Sequence, residues 1–382
     1  MKKIICLIFA SLVFMACSSD KVLKINVEST TNYNRSKELV QISVSELQGK
    51  LNLTDGQTYI VKNAEEEIIP SQVTYDGFLI FQLGSKDAKA DFTVSAGLPQ
   101  EFESKTYGRL FSERYDDFTW ENDFVAFRLY GPALVAIDGP SNGIDVWYKR
   151  TNDLIIDKWY KEELAKISSY HTDSGEGLDD YKVGRALGGG AMAPYVNGQL
   201  WLNENFILSE VLENGPLRTT VKFIYKDINV DGANFSEIRT ISIDAGSQLT
   251  KIRQEYGTST PIKVAAGISI RGNDSIVSSL ENGYNIYLED NRNTGEVYIV
   301  NLFPTIIESV EKNTYEFINP KSKQKEIHSH VLSVVTYEPN KPVIYYTGYG
   351  WTKFGFANLN EFENYVKNFS QSIKNPLKYT IQ

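Results

Sequence analysis

Residues 217–256 read LRTTVKFIYKDINVDGANFSEIRTISIDAGSQLTKIRQEY, and together with the segment before them they decide the fold. Apolar and polar residues alternate there in four runs, 201–212, 217–225, 235–243 and 249–256. The turns between the runs are Gly215-Pro216, Asp231-Gly232 and Ala245-Gly246. A period of two is typical of a strand with one buried face, and glycine-containing turns join such strands into hairpins. The stretch therefore predicts consecutive antiparallel strands.

The same pattern extends over most of the chain and divides it into two parts. Short alternating runs fill residues 22–100, which predicts a small β-sandwich of immunoglobulin-like kind. Over residues 101–382 the strands are longer and more aromatic, which predicts two large stacked sheets. Helical periodicity is confined to segments 154–167 and 361–373. The expected fold class is mainly β, with a small sandwich followed by a large two-sheet domain.

The N-terminus predicts export. Two lysines precede an apolar run over 4–16 that is too short to span a bilayer. The pair Ala16-Cys17 resembles the cleavage site of a bacterial lipoprotein signal. We therefore expect a signal peptide over 1–16, a lipid on Cys17, a polar tether over 17–21 and attachment to the outer membrane. Ordinary secretion with full release is the alternative.

Composition excludes several classes of function. Cys6 and Cys17 are the only cysteines, so a mature chain that starts at a lipidated Cys17 has no thiolate nucleophile and no disulfide. The formal net charge is −9 and no basic run occurs, so nucleic acid is not an expected partner. The sequence contains no phosphate-binding loop and no His-Glu-x-x-His helix. We expect no cofactor, and contact with a membrane through the lipid anchor only.

Residues 170–185, YHTDSGEGLDDYKVGR, predict an irregular loop that carries site chemistry. One of the three histidines, His171, lies here with Asp173, Glu176 and Tyr181, and glycines interrupt any regular element. An imidazole titrates near neutral pH, and nearby carboxylates orient it or exchange protons with it. We predict catalytic roles for these four side chains. The alternative is a polar surface turn whose glycines supply positive φ angles.

A second patch, residues 113–123 and the strand that follows, mixes acidic and aromatic side chains. It contains Glu121 and Asp123 as candidate catalytic carboxylates and Trp120 as a candidate sugar-stacking ring. Arg128 is a candidate cation for a substrate carboxylate, which a guanidinium binds in bidentate fashion. We expect this patch and the His171 loop to form opposite walls of one cleft.

A third patch contains two histidines on one strand. His328 and His330 alternate, so their side chains share a face. His330 is a candidate catalytic residue at the bottom of the expected cleft, and Trp351 and Lys353 are candidate substrate contacts downstream. Two histidines on one face also suit a metal ion, but the sequence identifies no third ligand, and we predict no metal site.

Several long motifs resemble the DUF4861 family of exported Bacteroidetes proteins. The similar segments are DDFTWEND (116–123), AFRLYGP (126–132), GIDVW (143–147), residues 170–184, GPLR (215–218) and YTGYGWTK (346–353). The resemblance covers roughly residues 105–375. It implies a galactose-mutarotase-like β-supersandwich over 101–382 and a setting among polysaccharide-degrading enzymes, often pectin-related. It implies no residue roles, and a fold alone does not determine a function.

The favoured hypothesis is an enzyme that cleaves an acidic, pectin-like oligosaccharide. A hydrolase needs two carboxyl groups across the scissile bond. The candidates are Glu176 or Asp173 with Glu121 or Asp123. A lyase needs a base beside the sugar C5 proton and a cation for the uronate. The candidates are His171 or Tyr181 as the base and Arg128 or Arg185 as the cation.

Two other classes of function stay open. A sugar mutarotase or epimerase would use a histidine as the acid and a carboxylate as the base. A non-catalytic glycan-binding lipoprotein would present tryptophan rings beneath sugar rings. The candidates for that role are Trp120, Trp147, Trp201 and Trp351. In every case the expected partner is an oligosaccharide or a polysaccharide.

Overall fold

The computed structural model describes residues 21–86, 88–272, 275–291 and 294–382. The expected signal peptide and Cys17 lie outside these residues. Strands dominate the described part of the chain, and the predicted mainly β fold class is confirmed. Within the same residues, no helix is long and apolar enough to cross a membrane.

The N-terminal part is a small sandwich of two antiparallel sheets. Its elements are β1 (Val22–Glu28), β2 (Leu39–Ser43), α1 (Val44–Gln48), β3 (Thr58–Lys62), β4 (Ser71–Val73), β5 (Phe78–Gln82) and β6 (Lys89–Gly97), together with the C-terminal strand β27 (Lys378–Ile381). One sheet has the order β27-β1-β6-β3 and the other β2-β5-β4. Alternate residues such as Ile25, Ile42 and Phe81 form a separate core between them. The sandwich thus includes a strand from the far end of the chain, which local alternation does not reveal.

A second sheet follows, five-stranded in the described part of the chain. Its strands are β7 (Thr106–Phe111), β8 (Asp117–Asn122), β9 (Ala126–Leu129), β10 (Ile144–Lys149) and β11 (Gly177–Leu178), in the order β11-β10-β9-β8-β7. The connections contain 3₁₀ turns at Ser112–Arg114 and Pro132–Leu134, and the helices α2 (Val135–Asp138) and α3 (Ile156–Leu164). Trp120 and Phe127 point from one face into the main core, and α3 covers the other face.

The remaining strands form two stacked sheets and a separate hairpin. They are β12 (Gly189–Val196), β13 (Gln199–Leu200), β14 (Leu208–Asn214), β15 (Arg218–Ile224), β16 (Ile228–Val230), β17 (Ala233–Phe235), β18 (Glu237–Asp244), β19 (Leu249–Tyr256), β20 (Ile262–Ser269), β21 (Ile276–Ser279), β22 (Tyr284–Asn291), β23 (Gly295–Leu302), β24 (Ser309–Ile318), β25 (Lys325–Tyr337) and β26 (Val343–Trp351). In the described residues, the smaller sheet has the order β13-β12-β20-β25-β24. The eight-stranded sheet has the order β14-β15-β18-β19-β26-β23-β22-β21.

The main core lies between the eight-stranded sheet and the two five-stranded sheets. Ile241, Ile243 and Ile252 point inward from alternate positions of β18 and β19, and Val264 and Leu332 come from the facing sheet. Removing this apolar surface from water is the main stabilising contribution to the fold. The intervening residues of β18 and β19 consequently face outward, away from this core.

Two elements cover parts of that outer face. The helix α4 (Leu359–Lys374) begins after Asn358, whose side chain accepts the N–H of Glu361 at 3.1 Å, and packs Phe362 and Val366 on the sheet. The small sandwich packs on the same face through a second apolar cluster. Its buried members are Leu39, Ile80, Leu217 and Ala245. A strip of sheet between α4 and the sandwich remains uncovered.

Candidate functional site

A cleft of about 620 Å³ lies over the uncovered strip, between the small sandwich, α4 and the eight-stranded sheet. We call it the sheet cleft. Among the residues that the structure describes, five cationic side chains line it against three acidic ones: Arg35, Lys37, Arg218, Lys251 and Arg253 against Glu38, Asp76 and Asp244. Ligand pockets are commonly of this size. The cleft is therefore locally cationic in a chain whose net charge is −9.

The floor of the sheet cleft is a row of side chains from neighbouring strands. Ser242 of β18 pairs with Lys251 of β19, and Lys251 pairs with Tyr346 of β26. Side chains directly opposite each other in antiparallel strands have Cβ atoms about 4.5–5.5 Å apart. The sequence neighbours Ile252 and Tyr345 point into the main core. Strand alternation therefore holds Lys251 and Tyr346 together on the cleft side.

Arg218 stands at one end of the floor in a fixed position. Its Nε and Nη2 donate to the two carboxylate oxygens of Asp244 at 2.5 and 2.8 Å. Gln72 of the small sandwich accepts the backbone N–H of Arg218 at 2.9 Å and donates to its carbonyl at 2.9 Å. Burial alone would lower the pKa of Arg218, but Asp244 raises it above its ordinary value. The guanidinium is thus a permanent, oriented cation.

Aromatic rings form the walls of the sheet cleft. Tyr346 and Phe369 pack edge to face with centroids 5.1 Å apart. The Nζ of Lys37 lies 3.9 Å from the ring centroid of Phe124, and Tyr75 is 51% exposed. The remaining rings are Tyr33, Phe356 and Tyr365. Rings with a few placed charges are the usual lining of small-molecule sites.

The two central groups of the floor have shifted pKa values. Burial lowers the pKa of Lys251, and the cations of Arg218 and Arg253 lower it further, against the opposing charges of Asp244 and Asp76. Burial raises the pKa of Tyr346 to about 12. The Nζ of Lys251 forms no hydrogen bond or ion pair with any other residue that the structure describes, and the side chain lines the cleft. Lys251 is therefore an amine whose pKa lies below its ordinary value, beside a phenol that stays protonated at neutral pH.

The site residues predicted from the sequence lie outside the lining of the sheet cleft, and Arg128, Trp147 and His171 lie on the outer face of the sheet β7 to β11. Arg128 of β9 contacts Asp145 at 2.5 Å and Asp179 at 2.9 Å, both through Nη2. The Nδ1 of His171 lies 2.8 Å from the carbonyl oxygen of Asp179 and 3.8 Å from its carboxylate. We call Arg128, Tyr130, Asp145, His171 and Asp179 the Arg128 cluster. The second patch and the His171 loop do meet, at Asp179.

The Arg128 cluster is closed to a ligand. The guanidinium of Arg128 lies 4.6 Å from the ring centroid of Tyr130 and 5.1 Å from that of Trp147, and 3% of the side chain is exposed. Burial raises the pKa of Asp179 to about 7, and the neighbouring charge of Asp145 raises it too. The side chains of Arg128, Asp145 and Asp179 are buried. The side chain of His171, in contrast, is exposed. The prediction that Arg128 binds a substrate carboxylate is therefore corrected, because no carboxylate can reach it.

Glu121 is a structural carboxylate. Its Oε2 accepts from Lys149 Nζ at 2.8 Å, and its Oε1 accepts the N–H groups of Ile155 and Ile156 at 2.7 and 2.9 Å, at the start of α3. Burial raises its pKa, against the opposing charge of Lys149. The predicted catalytic role is corrected, because both oxygens are buried and occupied. Asp123 instead reaches the edge of the sheet cleft, where Oδ1 accepts the N–H of Gly246 at 2.7 Å.

Asp173 and Glu176 shape the His171 loop. Asp173 accepts the N–H of Gly175 at 2.9 Å and that of Gly177 at 3.2 Å. Glu176 accepts from Lys158 at 2.7 Å. Burial alone would raise the pKa values of both carboxyls, but these contacts lower them below the ordinary values. Both groups are ionised at neutral pH, which does not suit the protonated acid of a hydrolase.

The predicted tryptophan surfaces are buried. Trp120, Trp147 and Trp351 are each exposed by 1% or less, so the prediction that they stack on sugars is corrected. The Nε1 of Trp351 donates to the carbonyl oxygen of Thr294 at 2.7 Å. Lys353 lies with its Nζ 5.4 Å from the Trp351 ring centroid, outside the residues that line the sheet cleft.

Three further predicted residues support the chain after the His171 loop. His330 is buried, its Nε2 accepts the N–H of Leu187 at 3.0 Å, and burial lowers its pKa to about 3. Tyr181 is buried, which raises its pKa. Arg185 donates to the carbonyl oxygen of Leu202 at 2.5 Å. Their predicted catalytic and binding roles are corrected, because packing separates all three from a ligand.

The structure also shows what the sequence did not single out. Lys251 looks like an ordinary outward residue of an alternating strand. Arg218 and Tyr346 lie in the segments 215–218 and 346–353 that resemble the family, but the resemblance implied no role for them. Within the described ranges, no group of three or more His, Cys, Asp or Glu side chains is arranged to hold a metal ion.

Sequence comparison assigns the family. The family model described as "Domain of unknown function (DUF4861)" matches residues 27–378. The chain belongs to the DUF4861 family. The DUF4861 match includes the small sandwich as well as the large domain. A relative, uncharacterized protein P7 of Formosa agariphila, is 28% identical over an alignment of 409 residues that covers 100% of both chains.

Structural comparison shows the fold. An alpha-mannosidase from Enterococcus faecalis superposes on the DUF4861 chain with a TM-score of 0.52 and 9% identity. The alignment covers 94% of this chain and 46% of that chain, so the DUF4861 chain spans about half the length of the mannosidase. At this level of identity the likeness concerns the fold alone.

Proposed function

We propose that this DUF4861 protein is a carbohydrate-active enzyme that binds an anionic, pectin-like oligosaccharide in the sheet cleft. The observation that carries the proposal is the excess of cations over acids in an aromatic-walled cleft of about 620 Å³, in a chain of net charge −9. A surface that is acidic overall attracts an anion only where the local charge is positive. The fold shared with an alpha-mannosidase is compatible with a glycan ligand.

The fixed geometry of Arg218 suits a uronate. Asp244 and Gln72 orient the guanidinium before any ligand arrives, so little side-chain freedom is lost on binding. A uronate presents a carboxylate on one edge and an apolar C–H face on the other. The rings of Tyr346 and Phe369, which line the same cleft, can pack against this C–H face.

Calorimetric titration tests the proposal with a matched pair of ligands. Oligogalacturonate and its fully methyl-esterified form share every linkage and differ in charge. We expect binding of the acid form, weakened by added salt because screening shortens the reach of the cleft charges. Equal affinity for the two forms, or no binding of either, contradicts the proposal.

We also propose that the protein is exported and held at the outer membrane by a lipid on Cys17. The support is the apolar run over 4–16 that ends at Ala16-Cys17. A fatty-acid analogue should label the wild-type protein in the producing cell. Equal labelling of Cys17→Ala contradicts the proposal.

A further inference from the structure

The acidic side chains of the sheet cleft are already engaged. Glu38 accepts from Arg35 at 2.6 Å, and both oxygens of Asp244 accept from Arg218. Asp76 accepts a threonine hydroxyl at 2.6 Å. Glycoside hydrolysis needs two carboxyl groups on either side of the scissile bond, one of them protonated. Among the described residues that line the cleft, no free pair of this kind exists.

The floor offers a different set of groups. Lys251 has no partner among the described residues, and Tyr346 is its direct cross-strand neighbour. Arg218 provides a fixed cation on the same face, two strands away from Lys251. An amine, a phenol and a cation are the parts that β-elimination from a uronate requires: a base, an acid and a charge that stabilises the carbanion.

Resting on the proposed function, we infer that the sheet cleft cleaves a 4-linked uronate oligosaccharide by β-elimination, with Lys251 as the base, the Tyr346 hydroxyl as the acid and Arg218 as the cation that binds the carboxylate. Lys251 and Tyr346 are catalytic residues in this scheme because both contact reacting atoms.

The bond changes balance without a co-reactant. The Nζ of Lys251 takes the proton from C5, and the electron pair of that C–H bond forms the C4=C5 double bond. The C4–O4 bond breaks, and the leaving O4 takes the proton of the Tyr346 hydroxyl. The ammonium of Lys251 then returns a proton to the phenolate of Tyr346, which is its neighbour across the strands. No water, oxidant or cofactor is consumed.

The protonation states of the free site support this division of roles. Burial and nearby cations lower the pKa of Lys251, which favours the neutral amine that a base must be. Burial raises the pKa of Tyr346 to about 12, so its hydroxyl keeps the proton that an acid must donate. Arg218 carries the charge that stabilises the enolate-like carboxylate in the transition state.

The test uses the full chain and a panel of 4-linked uronate oligosaccharides, namely galacturonate, guluronate, mannuronate and glucuronate oligomers. Ultraviolet absorbance of the conjugated double bond and new reducing ends are measured together. We expect equal amounts of both products from at least one oligomer. Lys251→Met and Tyr346→Phe should each lower kcat by about 10²–10⁴-fold with little change in KM. Lys222→Met is the matched control, because Lys222 lies on β15, the strand of Arg218, but outside the cleft lining.

The outcomes separate this inference from the proposed function. Reducing ends without the double bond mean hydrolysis, which overturns elimination and leaves the proposed function standing. Binding without cleavage of any oligomer also overturns elimination. A wild-type rate in folded Lys251→Met overturns the role of Lys251. Lys251→Ala provides an independent check, since an added alkylamine should restore part of its lost rate. If the protein neither binds nor cleaves any of the oligomers, that result contradicts the proposed function itself.

Discussion

Lys251 and Tyr346 face each other across the pairing of β19 with β26, on the side of the eight-stranded sheet that opens into the cleft. They lie far apart in the sequence, and the antiparallel register alone brings them together. Arg218 joins them from β15, two strands away from Lys251 on the same sheet face. The site is therefore a property of sheet register and of the sandwich and helix that frame it.

The first prediction concerns the cation at the end of the floor. Arg218→Ala should weaken binding of oligogalacturonate about 10- to 100-fold, since a hydrogen bond to a charged group contributes about 1.5–3 kcal/mol. Arg218→Lys should recover part of the affinity because it keeps the charge but loses the fork that Asp244 orients. Calorimetry measures both variants. Arg109→Ala, which disrupts a surface pair outside the cleft, should bind like the wild type, and an equal loss there would argue against the cleft.

The second prediction is a pH dependence. The rate of elimination should rise with pH towards the pKa of Lys251, which lies below its ordinary value of 10.5, because the base must be neutral. The charged groups that act on Lys251 are Arg218, Arg253, Asp244 and Asp76. Removing a cation in Arg253→Gln should raise the pKa of Lys251 and move the profile to higher pH. If the pH–rate profile of Arg253→Gln matches that of the wild type, a group other than Lys251 controls the pH dependence.

The third prediction separates Glu121 from catalysis. Glu121→Gln leaves the ammonium of Lys149 buried without its counter-charge, so the free energy of unfolding should fall by about 3–5 kcal/mol. Denaturant titration measures the change. Glu66→Gln breaks an exposed pair with Lys62 and should cost at most about 1 kcal/mol. If both variants lose equally little stability, Glu121 is not the structural carboxylate described here.

The fourth prediction concerns Asp179. Its pKa is raised from 3.8 to about 7, so its contribution to stability is complete below pH 3.8 and is lost as the pH rises through about 7. In Asp179→Asn the side chain cannot ionise, so this loss of stability with rising pH is absent. Between pH 4 and 7 the free energy of unfolding should therefore fall more in the wild type than in the variant. Parallel stability curves over that range would show that Asp179 titrates normally.

Much of the fold follows from the sequence because alternation is a local signal. The runs 217–225 and 249–256 become β15 (Arg218–Ile224) and β19 (Leu249–Tyr256), and the segments 154–167 and 361–373 become α3 and α4. The pairing of β27 with β1 escapes such reasoning, since it joins the two ends of the chain. Local patterns specify elements, whereas long-range partners depend on the packed molecule.

The site was less accessible to sequence reasoning for two physical reasons. Clusters of acidic and aromatic side chains, such as Trp120 and Glu121, are found in buried networks as well as in open pockets, and only burial distinguishes the two. Lys251 carries no local signal, because a polar residue at every second position is what any half-exposed strand shows. Tyr346 lies in the segment 346–353 that resembles the family, but that resemblance implies no role for it. Their significance arises from the cleft above them.

An anionic glycan should bind on the cleft face of the eight-stranded sheet. The most direct measurement is a crystal structure of Lys251→Met, which should bind without turnover, soaked with a 4-linked uronate tetrasaccharide. The account predicts density in the sheet cleft, with a carboxylate on Arg218 and a sugar face against Tyr346. Density for the sugar at the Arg128 cluster, with the sheet cleft empty, would contradict this binding site.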